Sequence, residues 1–410
     1  MITKLAQTDL KFLFLAVMLI FLPGIEALKN IFAFLFVLFW IIYSINEGNW
    51  GGKWRVIDSI FLLWILADII ISVNAVITHH LPGGGVSDII RFVLIGWVIS
   101  RMRFSNIMSY KLAMIALIGT LLTLAYSYYS GGGELIELHS VGHKNHTAIF
   151  LVIAYSISLS MLVFEFKNHN ISQKTFLLIA SIILFAATAD AGSRAAFGLL
   201  TIVTFINFLY FLFRLKKFSV RIGFLLVMCF IGFIFIQNPP EALKRIQNEG
   251  IFASEHSERT RINNFRYFAY KANPLLGIGF GNYHLLANIK NADIKRVIIE
   301  EKGVFDNSIF LAASHAHNLY FGYLVSGGIL IFSIFLWFWL YIFWIIFKLT
   351  LSKENEWVTV CSISVVMINL LIGLVNSTLH HEHAILSMFI FGLLASQYRH
   401  SLENKHLKIN

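Results

Sequence analysis

Apolar residues in this chain are gathered into long blocks and are not spread by alternation. Runs of about 17 to 25 residues, each able to cross a hydrocarbon core roughly 30 Å thick, recur from one end to the other. Twelve can be read, near residues 9–23, 30–46, 57–77, 86–100, 107–128, 146–164, 174–190, 195–213, 220–236, 317–347, 357–377 and 383–398. None shows the period of two expected of a barrel strand, and in lipid every backbone N–H and C=O must be paired within its own segment, so the runs predict helices. The run at the N-terminus is followed by no small-residue cleavage site and is taken as the first helix.

Composition points the same way. Of 410 residues, 58% are hydrophobic and only 13% charged, against roughly 45–50% and 25% for a soluble domain. Lys and Arg fix the orientation. With the N-terminus inside, the termini and even-numbered short connections hold eighteen of them, while the short odd-numbered ones hold Lys29, Lys144 and Arg194 alone. Both termini are therefore expected in the cytoplasm. The net charge of +10 is mostly this topological bias, and no basic, aromatic-interleaved module suggests a nucleic acid. Cys229 and Cys361 both fall within apolar runs, which leaves neither a disulfide framework nor a zinc motif.

One connection stands apart. Residues 237–316 form an outer-side stretch with ten basic residues, among them Arg259, Arg261 and Arg266, and with enough aromatic side chains to pack onto a bundle. Connections of this length are functional or disordered, and an anionic ligand at the outer face would account for the charge. The expected organisation is helices 1–9 over residues 1–236, a loop domain over 237–316, and helices 10–12 with a tail over 317–410. Within the loop, the three glycines of "PLLGIGFGN", Gly277, Gly279 and Gly281, invite comparison with a phosphate loop, but there is no strand before and helix after, so the stretch reads as tight turns.

Polar residues collect at predicted outer helix ends. Arg194, in "ADAGSRAAFGLL", reads either as an anchor reaching for lipid phosphates or as a planar fork gripping a phosphate ligand. "GHKNHTAIF" and "LHHEHAIL" place histidines at two more helix starts; the HExxH spacing is absent, and no metal is expected. "ASHAHNLYFGYLVSGGILIF" sets His315, His317 and Asn318 before an apolar run. The histidines are either interfacial anchors or proton acceptors near neutral pH.

Taken together these stretches resemble the O-antigen ligase and polymerase superfamily. His317, Asn318 and, after nine residues, Gly328 match its signature, with Ile331 where a further Gly is usual; "AGSRAAFGLL" matches its Ser-Arg helix start through Ser193 and Arg194; and the segment from "SERTRINNFRYF" to "PLLGIGFGNY" matches its Arg-containing helix, with Arg259 in the best register and Arg261 and Arg266 close to it. The resemblance implies an all-α polytopic membrane protein of about twelve transmembrane helices with one large periplasmic loop, GT-C-like, in a Gram-negative inner membrane. It further implies metal-independent, cofactor-free glycosyl transfer from undecaprenyl-diphosphate-linked O-antigen to the outer-core sugar of lipid A-core. By that resemblance His317, Arg194 and Arg259 are catalytic, and Asn318, His315, Arg261 and Arg266 bind substrate. Two rivals remain open: an O-antigen polymerase, suggested by Arg266 followed ten residues later by Gly277, and a transporter of lipid-linked glycans, for which the mid-span Asp68 and Arg91 would be relevant.

Overall fold

A computed structural model describes residues 2–83, 85–131, 136–164, 170–214, 239–249, 255–282, 292–304, 317–352 and 356–407. The helices are α1 (Ile2–Phe21), α2 (Glu26–Glu47), α3 (Val56–His79), α4 (Val86–Arg101), α5 (Asn106–Ser130), α6 (Lys144–Phe164), α7 (Ile171–Asp190), α8 (Arg194–Arg214), α9 (Glu241–Glu249), α10 (Glu255–Ala272), α11 (Ala292–Lys302), α12 (Leu319–Ser352), α13 (Glu356–Met367) and α14 (His381–Leu407). Among the described residues there is no strand. Helices occupy eleven of the twelve predicted runs; the ninth, 220–236, lies outside the described residues. Six helices among the described residues, α2, α3, α5, α6, α7 and α12, are long and apolar enough to cross a membrane. The chain is thus an all-helical, multi-pass membrane protein.

The chain divides into two compact units, the first comprising Met1–Asn49, Arg103–Ile251 and Leu349–Ile368. Its centre is α6, buried without a break from Thr147 to Ser158, as expected of a helix apolar on every side. Helices α5, α7, α8 and α13 pack around it. Lipid supplies no hydrophobic drive between spans, so small residues and hydrogen bonds hold them. Gly119 of α5 comes so close to the backbone of Ile20 that a methyl there would overlap it. Ser158 donates to Leu177 O (3.0 Å) and shares a hydrogen bond with Ser181 (2.9 Å), while Tyr155 meets Thr204 at 2.7 Å.

The second unit comprises Trp50–Met102, Phe252–Lys348 and Asn369–Asn410. Its α4 packs along α14 with Gly96 against Met388 and Gly392 against Ile99. At the start of α3, Asp58 is fully buried and receives Arg399 (2.8 Å), Arg101 (2.7 Å) and the indole N–H of Trp97 (2.9 Å). Both arginines also donate to backbone carbonyls, Arg101 to Trp50 and Gly52 and Arg399 to Ser100 and Lys53. This ion triad joins α3, α4 and α14. Farther along α3, Trp64 sits within an aromatic cluster with Phe92, Tyr323 and Phe338.

Candidate functional site

The polar stretch before α12 folds as a helix start. Asn318 is its cap: its Oδ1 accepts from Phe321 N (3.0 Å), as a short side-chain acceptor does at a helix N-terminus. Its amide donates to Leu374 O at 2.9 Å, Leu319 N donates to Gly373 O at 2.7 Å, and the Tyr320 hydroxyl donates to Leu370 O at 2.8 Å. Those acceptors belong to a π-helical turn, Ile368–Ile372, and the residues just after it. Wider π turns often occur at functional sites. Asn369 in this turn is buried, donates to Ser387 (3.0 Å) and accepts from Thr378 (2.7 Å) through its carbonyl. His317, immediately before the cap, has φ +39, a left-handed backbone uncommon in any residue but glycine.

The helix that follows does not run straight. Gly328 has φ +61 and ψ −161, a combination open essentially to glycine alone, and the chain reverses there. The rings of Tyr323 and Phe335 stack at 4.6 Å and those of Tyr320 and Phe335 lie 6.1 Å apart, whereas twelve residues of straight helix would separate them by about 18 Å. The predicted single span 317–347 is therefore a short half-helix, residues 319–327, folded back on a long one from residue 329. Gly327 leaves room for the buried side chain of Ile331, which explains how the sequence accommodates isoleucine at that position.

The turn of this hairpin is filled by "PLLGIGFGN". Ile278 N donates to Val325 O (3.0 Å) and Gly279 N to Ser326 O (2.8 Å), and Ile329 N donates to Pro274 O (2.8 Å). Breaking a helix in a membrane exposes backbone groups that need new partners, and this segment supplies them. Its glycines are turn glycines, as expected: Gly277 and Gly279 have φ +63 and +89.

Around the turn, Phe265, Phe268 and Ala269 of α10, Ile294 and Ile298 of α11, Ala75, Leu81, Ile278 and Val325 form one apolar core. Lys271 and Glu301 join α10 to α11 at 2.6 Å; that hydrogen bond raises the pKa of the Lys271 ammonium above its ordinary value. Helix α10 carries the candidate arginines. Arg266 is buried, with a long 3.4 Å contact to Asn263, and Arg261 is half-buried. Position 259 is seven residues before 266, two turns, and so on the same face of α10; the Arg259 side chain and all of His315 lie outside the described residues.

Arg194 belongs to the other unit. It opens α8, just after Gly192 (φ +75) and Ser193, whose carbonyl accepts from Phe197 N at 2.9 Å. The structure thus brings His317, Asn318, Arg261 and Arg266 into one unit. Tyr320, Asn369 and the residue 370–374 carbonyls were missed by sequence reasoning. No group of three or more His, Cys, Asp or Glu among the described residues could hold a metal; in "LHHEHAIL", Glu382 and His383 are buried and His383 Nε2 lies 3.2 Å from Ser377 O.

No curated protein matches the chain. Residues 175–336 match a family model described as O-antigen ligase, a stretch that begins in α7 and runs past the Gly328 turn to include Arg194, α10 and His317. Over that stretch, this multi-pass membrane protein is similar to the O-antigen ligase family.

Proposed function

We propose that the protein is an O-antigen ligase, moving polysaccharide from undecaprenyl diphosphate to the outer-core sugar of lipid A-core at the periplasmic face of a Gram-negative inner membrane. The family match over residues 175–336 carries this reading. Twelve crossings, a periplasmic 237–316 region and the division at residues 236 and 316 belong to the same proposal.

In the mechanism His317 accepts the proton of the acceptor hydroxyl as its oxygen attacks the anomeric carbon. The bond from that carbon to the diphosphate oxygen breaks, and undecaprenyl diphosphate leaves already ionised. One displacement inverts the anomeric centre. Arg194 and Arg259 hold the diphosphate, whose growing charge a guanidinium fork suits. Asn318, Arg261, Arg266 and His315 contact the substrates. The left-handed backbone at His317 supports its assignment, since such strain clusters at sites where position is over-determined by surroundings.

A polymerase is the second reading, suggested by Arg266 and Gly277 at the spacing noted above. The test supplies purified protein with lipid-linked glycan and either lipid A-core or more lipid-linked glycan, without any ion gradient. Glycan on lipid A-core supports the ligase; longer lipid-linked chains establish the polymerase; no product in either arm, with glycan crossing vesicles, establishes a transporter. In the ligase arm, correctly inserted His317→Ala loses roughly 10²- to 10⁴-fold in rate. An unchanged rate removes His317 from the base role.

A further inference from the structure

Asp68 is the thirteenth of 24 residues in α3 and has no exposed surface. Neither of its carboxylate oxygens has a hydrogen-bond partner among the described residues. Two other buried polar groups beside it are in the same condition. The indole N–H of Trp64 lies one helical turn earlier, on the same face of α3, and the Tyr323 hydroxyl comes from the half-helix 319–327. The rings of Trp64 and Tyr323 are 6.0 Å apart, Asp68 is close enough to act electrostatically on Tyr323, and one turn further along both helices Ile71 faces Gly327. The carboxyl group thus lies where α3 meets the half-helix 319–327, with an indole and a phenol nearby.

What does this arrangement hold? A bare carboxylate deep in a span is costly, and residues of this kind mark ion or proton sites. Among the described residues, the groups packed around it carry no compensating charge. Phe92 of α4 and Phe338 of α12 cover Trp64, and Phe280 of the loop covers Tyr323; Asp88 and Arg91 on α4 pair with each other at 2.7 Å. A metal cation would need several more oxygen ligands, yet the Val325 and Ser326 carbonyls already accept from the loop, and the groups that cover Trp64 and Tyr323 are rings. A proton needs no such cage.

We propose that Asp68 is a proton-binding site within the second unit, with the Tyr323 hydroxyl as its partner. At rest the group is a neutral carboxylic acid. On ionisation its proton passes to water, and the Tyr323 hydroxyl, remaining protonated, donates to the carboxylate. The proposal stands apart from the ligase reading, because its test reads the carboxyl group itself.

That test is pH-titrated infrared difference spectroscopy on the full chain in lipid nanodiscs. A protonated-carboxyl C=O band is expected near neutral pH, absent from the near-isosteric Asp68→Asn variant and lost as pH rises. Tyr323→Phe keeps the ring and removes the donor to the ionised form, so the midpoint should move up by about one pH unit. A wild-type spectrum identical to that of Asp68→Asn overturns the site, and a midpoint indifferent to Tyr323→Phe overturns the partner. Loss of the band on adding sodium ions at constant pH, with a midpoint that follows sodium concentration, overturns the proton in favour of a metal cation.

Discussion

Replacing Gly328 with alanine tests the hairpin at its weakest tolerance. Its φ of +61 with ψ of −161 would strain any L residue by about 1 to 3 kcal/mol. An added Cβ would also stand 2.7 Å from the Leu276 amide nitrogen and closer still to the Leu275 carbonyl, so the loop must withdraw. Withdrawal strains the bonds from Ile329 N to Pro274 O (2.8 Å) and Leu330 N to Leu275 O (3.3 Å), each worth about 1 kcal/mol net. The total is about 3 to 5 kcal/mol, roughly a hundred- to several-thousand-fold in the folded-to-unfolded ratio. Reversible unfolding in mixed micelles with increasing denaturing detergent measures it. Gly198→Ala is the internal comparison: Gly198 lies within α8 with nothing near its added methyl, so alanine should be neutral or stabilise by up to about 1 kcal/mol. If Gly328→Ala unfolds at the same detergent fraction as wild type, the reversal at residue 328 is refuted.

Asp58→Asn leaves Arg101 and Arg399 buried without their carboxylate and should cost about 3 to 5 kcal/mol; the same micelle assay should show much of this recovered when Arg399→Met is added, and a double variant weaker than Asp58→Asn alone contradicts the argument. Asn318→Ala removes the acceptor for Phe321 N and the donor to Leu374 O and should cost about 1 to 2 kcal/mol, read as faster hydrogen exchange at residues 319–322 with little change in α14. Because the hydrogen bond to Glu301 raises the pKa of Lys271, its stabilising contact is complete below the ordinary lysine pKa and fades as pH rises through the higher folded value. Hydrogen exchange in α10 should then accelerate at strongly alkaline pH in wild type and lose that added step in Glu301→Gln.

Much of the architecture was legible in the sequence because spans are written in hydropathy, a signal that local burial in lipid makes strong. The helix beginning after His317 was visible too, and the asparagine that caps it is the residue type that a cap calls for. Hydropathy is blind to backbone dihedrals, however. The stretch 317–347 looks like one overlong span, and only the Gly327–Gly328 pair within it hinted at a break. The π turn after α13 carried no comparable mark, since Asn369 reads equally as a buried polar residue of an ordinary helix. Motif register put Arg259 ahead of Arg261 and Arg266, but register does not tell which face of the helix the fold turns inward; burial distinguishes Arg266 from the half-buried Arg261.

The triad around Asp58 has a consequence for biogenesis. Its carboxylate precedes Arg399 by 341 residues, so at ribosomal speeds of about 5 to 20 residues per second it waits roughly twenty seconds to a minute for that partner. In the interval Arg101 and Trp97 are the companions already synthesised. Completion of the second unit is therefore tied to arrival of the last helix in the bilayer, and a nascent chain stalled before residue 399 would hold Asp58 with Arg101 and Trp97 but without the two contacts that Arg399 makes.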